Sequence, residues 1–308
     1  MGPSSPPPSL PDNYNTFSFP ALQLSHHPPS SSTVTPVIVV KLHRPSARNA
    51  FTDDMAASLI RAFDTLSVDP RVKAVVLTSS DETNRFFCAG MDFNSPHGIG
   101  PTRDAHRDAG GQVSLALYRC SKPVIAAING SAVGVGITMT LPANIRVASR
   151  DAKIGFVFGR RGFNMEACSS FFLPRLVGTS KALHLTTTGA VYPATHRLYD
   201  DLFSEVVAPE EVLPTALKIA EETAANVSGV ASRVMKDMIY RGPGSPEEAH
   251  LLESTIFFDL FHGADSKEGV ESFLQKRPPN FKATMENNAP AAYPWWAPVD
   301  IKKPKSKI

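Results

Sequence analysis

A β-branched run, Val37 to Leu42, is followed by Met55, Leu59, Phe63 and Leu66 at helical spacing, and then by a second run, Val72 to Thr78. Strand-type residues separated by an amphipathic stripe form a strand-helix-strand unit, so an α/β fold is predicted. Thr52 and Asp53 are placed to cap the helix, and Asp54 falls in its first turn beside the positive end of the helix dipole. Val124 to Ile128 reads as a third strand, with Ile145 to Ala148 and Ile154 to Val157 as shorter ones. From Ser180 the chain turns helical through Pro209 to Asn226, Val230 to Ile239 and Pro246 to Phe261, interrupted by a short strand, Phe203 to Val207. In the last helix Leu251, Leu252, Thr255, Ile256, Phe258 and Phe261 make a stripe wide enough for burial on two sides, which predicts an interface. The sequence has no detectable internal repeat.

Composition removes several function classes. The chain has 31 Lys and Arg against 29 Asp and Glu, a formal charge of +2, so it lacks the basic surplus of a nucleic-acid binder. The longest apolar stretches, Pro123 to Ile128 and Val133 to Leu141, fall far short of the roughly 20 residues of a membrane span, and the chain reads as soluble. Cys88, Cys120 and Cys168 are odd in number and widely spaced, which predicts no disulfide framework and no metal site and fits a reducing compartment. Cys168, His184 and His196 fit no nucleophilic triad pattern.

Nine of the 27 prolines lie between Pro3 and Pro36 and six between Pro278 and Pro304, so the ends differ from the middle. The expected division is a disordered Pro/Ser-rich leader over 1–35, an alternating strand and helix core over 36–200, a helical region over 201–282 and a Pro-rich tail over 283–308. The leader carries no Lys or Arg before Lys41, unlike a secretory or mitochondrial address. Ser306, Lys307 and Ile308, after Lys302, Lys303, Pro304 and Lys305, resemble a peroxisomal address with Ile for Leu. A peroxisomal location and an import receptor as partner are therefore expected. Trp295 and Trp296 are expected to pin the tail to the body or to a neighbouring subunit.

Two glycine-bearing turns follow apolar strands. In Phe86-Phe87-Cys88-Ala89-Gly90-Met91-Asp92-Phe93 the small pair Ala89 and Gly90 lets the backbone turn sharply, so that the next amide faces a cavity. Asn129-Gly130-Ser131-Ala132-Val133-Gly134-Val135-Gly136 leads into a predicted helix, Ile137 to Leu141, whose free N–H groups suit developing negative charge. Gly134 and Gly136 give only a partial phosphate-loop pattern, because Met139 stands where the third glycine belongs. Tight strand-helix packing is the alternative reading of either turn.

These turns belong to a wider pattern: Arg44-Pro-Ser-Ala-Arg-Asn49-Ala50, Phe87-Cys-Ala-Gly90-Met91-Asp92, Pro123-Val-Ile-Ala-Ala-Ile-Asn129-Gly130, Gly134-Val135-Gly136, then Glu268-Gly269 and Lys276-Arg277-Pro278-Pro279-Asn280-Phe281. In this order, over about residues 36 to 282, the sequence resembles the crotonase superfamily of enoyl-CoA hydratases and isomerases. The resemblance implies an α/β, crotonase-like spiral of strand-strand-helix turns, with a helical C-terminal region that builds homotrimers, often paired into hexamers. It implies an acyl-CoA substrate, a place in fatty-acid metabolism and no separate cofactor. It assigns the oxyanion amides to Met91 and Val135. It places Ala47, Ala50, Ala89, Asp92, Phe93 and Asn94 along the acyl-CoA path, with Gly134 beside them, and Asp92 reads more readily as a fixture of its loop. Lys276, Arg277 or Lys282 would meet CoA phosphates, or form an ordinary solvated basic stretch.

The pattern departs from the hydratases at the two positions where they carry glutamates, which here are Thr138 and Phe158. Gly162-Phe163-Asn164-Met165-Glu166-Ala167-Cys168-Ser169-Ser170 instead resembles the Pro-Glu-Gly-Cys-Ser-Ser segment of peroxisomal enoyl-CoA isomerases, with Met165 for proline and Ala167 for glycine. That resemblance makes Glu166 the single acid/base of a 3-enoyl to 2-enoyl isomerase. The alternatives are a hydratase of an unusual acyl chain using Glu166, and a CoA-binding subunit without catalysis in which Glu166 only serves its helix.

Overall fold

The computed structural model describes residues 10–301 apart from 97, 99 and 101. The predicted address Ser306-Lys307-Ile308, its preceding lysines and residues 1–9 of the leader lie outside them.

The strands sort into two sheets. The first contains β1 (Leu22–His27), β2 (Val37–Leu42), β3 (Ala74–Ser79), β5 (Val124–Ile128), β7 (Ile145–Ser149) and β10 (Glu205–Val207), in that order. The second contains β4 (Phe86–Cys88), β6 (Ser131–Val133), β8 (Lys153–Gly155) and β9 (Val191–Pro193). All pairings are parallel except β1 with β2 and β8 with β9. Thus β3 and β4, β5 and β6, and β7 and β8 each place one strand in each sheet before a helix, the strand-strand-helix spiral that the motifs imply.

The helices are α1 (Asp53–Val68), α2 (Ala109–Arg119), α3 (Val135–Thr138), α4 (Ser169–Val177), α5 (Thr179–Thr188), α6 (Val212–Asn226), α7 (Gly229–Arg241), α8 (Pro246–Phe261), α9 (Ala264–Gln275) and α10 (Met285–Asn288). Thr52 caps α1 by accepting from the Met55 amide at 3.3 Å, as its sequence implies. The stripe Met55, Leu59, Phe63 and Leu66 is fully buried.

Both faces of the large sheet are covered, which is why its strands read as unbroken apolar runs. Ile38, Val40, Leu42, Val75, Leu77, Val124 and Ala126 join α1 and α2 in the main core. Val37, Val39, Ala74, Val76, Ile125 and Ala127 face α6, whose Ala216 and Ala220 allow close approach. Each fully buried Val, Leu, Ile or Phe contributes about 1.5–3 kcal/mol relative to exposure.

Three expectations change. The leader is ordered from residue 10: β1 pairs with β2 through six residues, and Tyr14 is fully buried with its hydroxyl donating to Asp69 Oδ2 at 3.0 Å. The prolines fall outside β1, and Leu22 and Leu24 supply the buried face that a proline count does not register. Residue 200 does not divide sheet from helices, since β10 extends the large sheet beyond it and α6 packs on that sheet. The helix expected over Ile137 to Leu141 is instead α3, one turn beginning at Val135.

The C-terminal helices are fixed to α2. The buried Arg233 pairs with Asp237 at 2.8 Å and donates to the carbonyls of Tyr118 and Cys120, both at 2.9 Å. Trp295 Nε1 donates to the Arg241 carbonyl at 3.0 Å, and the Arg241 guanidinium lies 4.3 Å over the Trp296 ring, so both tryptophans pin the tail to α7. Among the described residues, no helix is long and apolar enough to cross a membrane, and no group of three His, Cys, Asp or Glu side chains is arranged to hold a metal.

Tyr14→Ala should destabilise the chain by about 3–5 kcal/mol in urea unfolding, the cost of truncating a large core side chain, whereas a dispensable leader would show almost none.

Candidate active site

Parallel pairing of β4 with β6 sets the two glycine turns side by side, with Phe86 opposite Ser131 and Cys88 opposite Ala132. A Cβ at Gly136 would collide with the Cys88 carbonyl, and one at Gly90 would sit 3.0 Å from the Val133 carbonyl. Gly90 also holds a φ of +91°, in the region that disfavours other residues. The tight packing and the functional readings of these turns therefore coincide.

Met91 and Val135 are the residues just past these turns. Phe51 donates to the Gly90 carbonyl at 2.8 Å and Asp92 donates to the Phe51 carbonyl at 2.9 Å, which leaves the Met91 amide between them unused. Gly134 donates to Gly155, while Ile137 and Thr138 donate back to the Gly134 carbonyl. Among the described residues neither the Met91 nor the Val135 amide has an acceptor. Two unspent donors, one just past β4 and one at the start of α3, are a means of stabilising an oxyanion.

The loop of Ala47 and Ala50 packs on the same turn. Ala89 donates to the Arg48 carbonyl at 3.1 Å, and Arg44 pairs with Asp92 at 2.9 Å while also donating to the Ala50 carbonyl. The Arg44 guanidinium holds Asp92 below the usual carboxylate range, and Asp92 Oδ1 accepts from the Asn94 amide at 3.1 Å. Asp92 thus fixes its loop. Phe93 and Phe163 are exposed and stack at 6.4 Å, 17° from parallel, joining this loop to the segment before Glu166.

Glu166 is partly buried, and Oε1 accepts from the Thr138 hydroxyl at 2.9 Å. Its Oε2 lies against the Cα of Gly110, where any Cβ would collide with it, and Val135 Cγ2 would be only 3.0 Å from that Cβ. The glutamate is therefore brought beside the start of α3. Burial first, and then the neighbouring charge of Asp108, push its carboxyl up to about 8. Ala167 and Cys168 follow with φ of 58° and 56°, a left-handed pair of non-glycine residues. Such backbone costs about 1–2 kcal/mol per residue, and persists where surroundings impose it. Burial pushes the Cys88 thiol up to about 12 and that of Cys168 to about 11, so neither is a ready thiolate.

Other sequence candidates lie elsewhere. Phe158 begins a single 3-10 turn, His196 stacks on Tyr192 at 4.2 Å, and His184 meets the Tyr192 hydroxyl at 3.2 Å. Arg277 is engaged by both carboxylate oxygens of Glu268, at 2.6 and 2.9 Å. Gly134, with φ +55°, caps α3. Sequence reasoning missed Asp108 and Gly110. The run Asp108-Ala-Gly-Gly carries a helix-cap signal, but nothing in it points to a glutamate 58 residues later.

The enoyl-CoA hydratase/isomerase family model matches residues 33–284. An enoyl-CoA hydratase of Alternaria alternata is 49% identical over 255 residues, covering 82% of this chain and 85% of that protein. A 1,2-epoxyphenylacetyl-CoA isomerase of Escherichia coli is 30% identical over 253 residues, 80% of this chain and 94% of its own. A crystal structure of a probable enoyl-CoA hydratase/isomerase from Mycobacterium abscessus superposes with a TM-score of 0.73 at 31% identity, covering 81% of this chain and 96% of that one.

Gly110→Ala should displace the Glu166 carboxylate while leaving the fold intact, since alanine suits a helix and the obstructing group is a side-chain end. The expected result is a Glu166 carboxyl that titrates well below 8 in carbon-13 NMR, with thermal stability close to the parent; an unmoved titration would refute the placement.

Proposed function

Because the chain belongs to the enoyl-CoA hydratase/isomerase family of enzymes, we propose that it shifts the double bond of a 3-enoyl-CoA to the 2-position, with Glu166 as the proton carrier. The observation that carries this reading is the Glu166 carboxylate, packed beside the Val135 turn and bonded to Thr138, the position where a hydratase-type glutamate is missing.

The chemistry balances on one carboxylate. Glu166 takes a proton from C2 as the C–H electron pair moves toward the thioester, and charge collects on the carbonyl oxygen. The amides of Met91 and Val135 receive that charge, a donor of this kind being worth about 3 kcal/mol of barrier. The enolate delocalises through the double bond, and the protonated Glu166 returns the proton at C4. A carboxyl with raised proton affinity suits both halves: its ionised form is a stronger base than an ordinary carboxylate, and its acid form persists long enough to give the proton back. Ala47, Ala50, Ala89, Asp92, Phe93, Asn94 and Gly134 form or brace the approach, with Phe93 and Phe163 as an apolar rim.

Hydration of an unusual acyl chain is the second reading, favoured by the relatives whose names are enoyl-CoA hydratases. The two reactions move the absorbance of the conjugated thioester in opposite directions, so one assay on 3-enoyl-CoA and 2-enoyl-CoA separates them.

A second copy of the chain is proposed to cover the C-terminal helices. Phe257, Phe258, Phe273 and Leu274 are 65–80% exposed in the single chain, and large apolar side chains left exposed together mark an interaction surface.

Glu166→Gln should lower turnover by about 10²–10⁴-fold with acyl-CoA affinity retained, and unchanged turnover would remove Glu166 from the mechanism. In the parent enzyme kcat/KM should rise with pH to a plateau with its midpoint near 8, because the raised carboxyl must ionise before it can accept a proton; a midpoint near the ordinary 4.5 would count against the buried base. Phe273→Glu with Leu274→Glu should convert an oligomer to single chains in analytical ultracentrifugation, and an unchanged sedimentation profile would place the interface elsewhere.

A further inference from the structure

We propose that Asp108 is the positioning residue for this site, tying the start of α2 to the peptide after Glu166 and so setting where Glu166 points; the proposal rests on Glu166 being the proton carrier. Asp108 stands before α2 and caps it, Oδ1 accepting from the Gly111 amide. The same oxygen accepts from the Ala167 amide at 3.2 Å. One carboxylate oxygen therefore joins the start of α2 to the peptide directly after Glu166. That peptide leads into the left-handed pair Ala167 and Cys168, backbone that needs an external hold.

The second effect is electrostatic. Asp108 is exposed and Glu166 is partly buried, so when the two carboxylates compete the buried one is the dearer to ionise. Burial is the larger cause of the raised Glu166 carboxyl, and the Asp108 charge with its hydrogen bond adds to it. The Thr138 hydroxyl on α3 faces Glu166, and the Cys88 thiol at the end of β4 and the Cys168 thiol on its own turn lie within electrostatic reach of it. Arg44 acts on Cys88 and Arg119 on Cys168, and among the described residues no basic side chain pairs with Glu166. Among the described residues Asp108 is thus the neighbouring carboxylate that opposes its ionisation. It lies on a different element from both glutamate positions of the hydratase pattern, so neither glycine turn announces it.

The test uses the full-length enzyme and Asp108→Asn, which keeps a capping oxygen for Gly111 and Ala167 and removes the charge. The Glu166 carboxyl is identified in carbon-13 spectra by its loss in Glu166→Gln. In Asp108→Asn its titration midpoint should fall by about one pH unit, and the midpoint of kcat/KM should fall with it. Asp108→Ala, which also frees the turn, should lower kcat more than about tenfold with KM little changed. Unmoved midpoints in Asp108→Asn, or a loss of rate uniform across pH, would overturn the proposal. A shifted Glu166 titration alongside full turnover in Glu166→Gln would leave the Asp108–Glu166 link standing but remove its catalytic meaning, and so also overturn the role proposed for Asp108 in the reaction.

Discussion

The parallel pairing of β4 and β6 is the constraint from which the site follows. Two strands of three residues each hold little of the fold's apolar area, yet their register puts the Gly90 and Gly136 turns in contact. The backbone donors of that region are spent on Gly90, Phe51, Gly134 and Gly155, so among the described residues the amides of Met91 and Val135 are left over by topology. The Met91 side chain is partly exposed and that of Val135 is buried in the main core, but the donor each offers is a backbone amide. The large sheet, clamped between α1 with α2 and the small residues of α6, gives those short strands a rigid base.

What the sequence disclosed follows the range of the interaction concerned. Strands β2 and β5 and helix α8 match their sequence-read limits, because each is set by a local run or a capping residue and neighbours do not override it. The order of motifs points to Met91, Val135 and Glu166 through the family resemblance alone, without any contact. The order of the leader is not legible in its proline content, which is a composition, because β1 depends on pairing with β2 and on Tyr14 reaching Asp69, 55 residues away. Asp108 was invisible for the same reason. Its local role as a helix cap is ordinary, and its consequence for Glu166 exists only once α2 and the 162–168 segment have packed together.

Thr138 shows how the rest of the site agrees with one carrier. A glutamate here, as the hydratase resemblance would have it, would set a further carboxylate beside Glu166, whose ionisation burial and the Asp108 charge already oppose. The hydroxyl removes that conflict. It reaches Glu166 Oε1 at 2.9 Å and the Gly134 carbonyl at 3.2 Å, and it carries a single hydrogen to give to either. When Glu166 is ionised the hydrogen goes to the carboxylate; when Glu166 is protonated the hydroxyl turns its hydrogen to Gly134 and accepts from the acid. Both forms of the proposed base keep a partner without any atom moving far, which is the condition for a group that must take a proton and surrender it within one catalytic cycle. A threonine in place of the missing glutamate therefore supports the proposed isomerase chemistry at a position where the usual hydratase pair carries an acid.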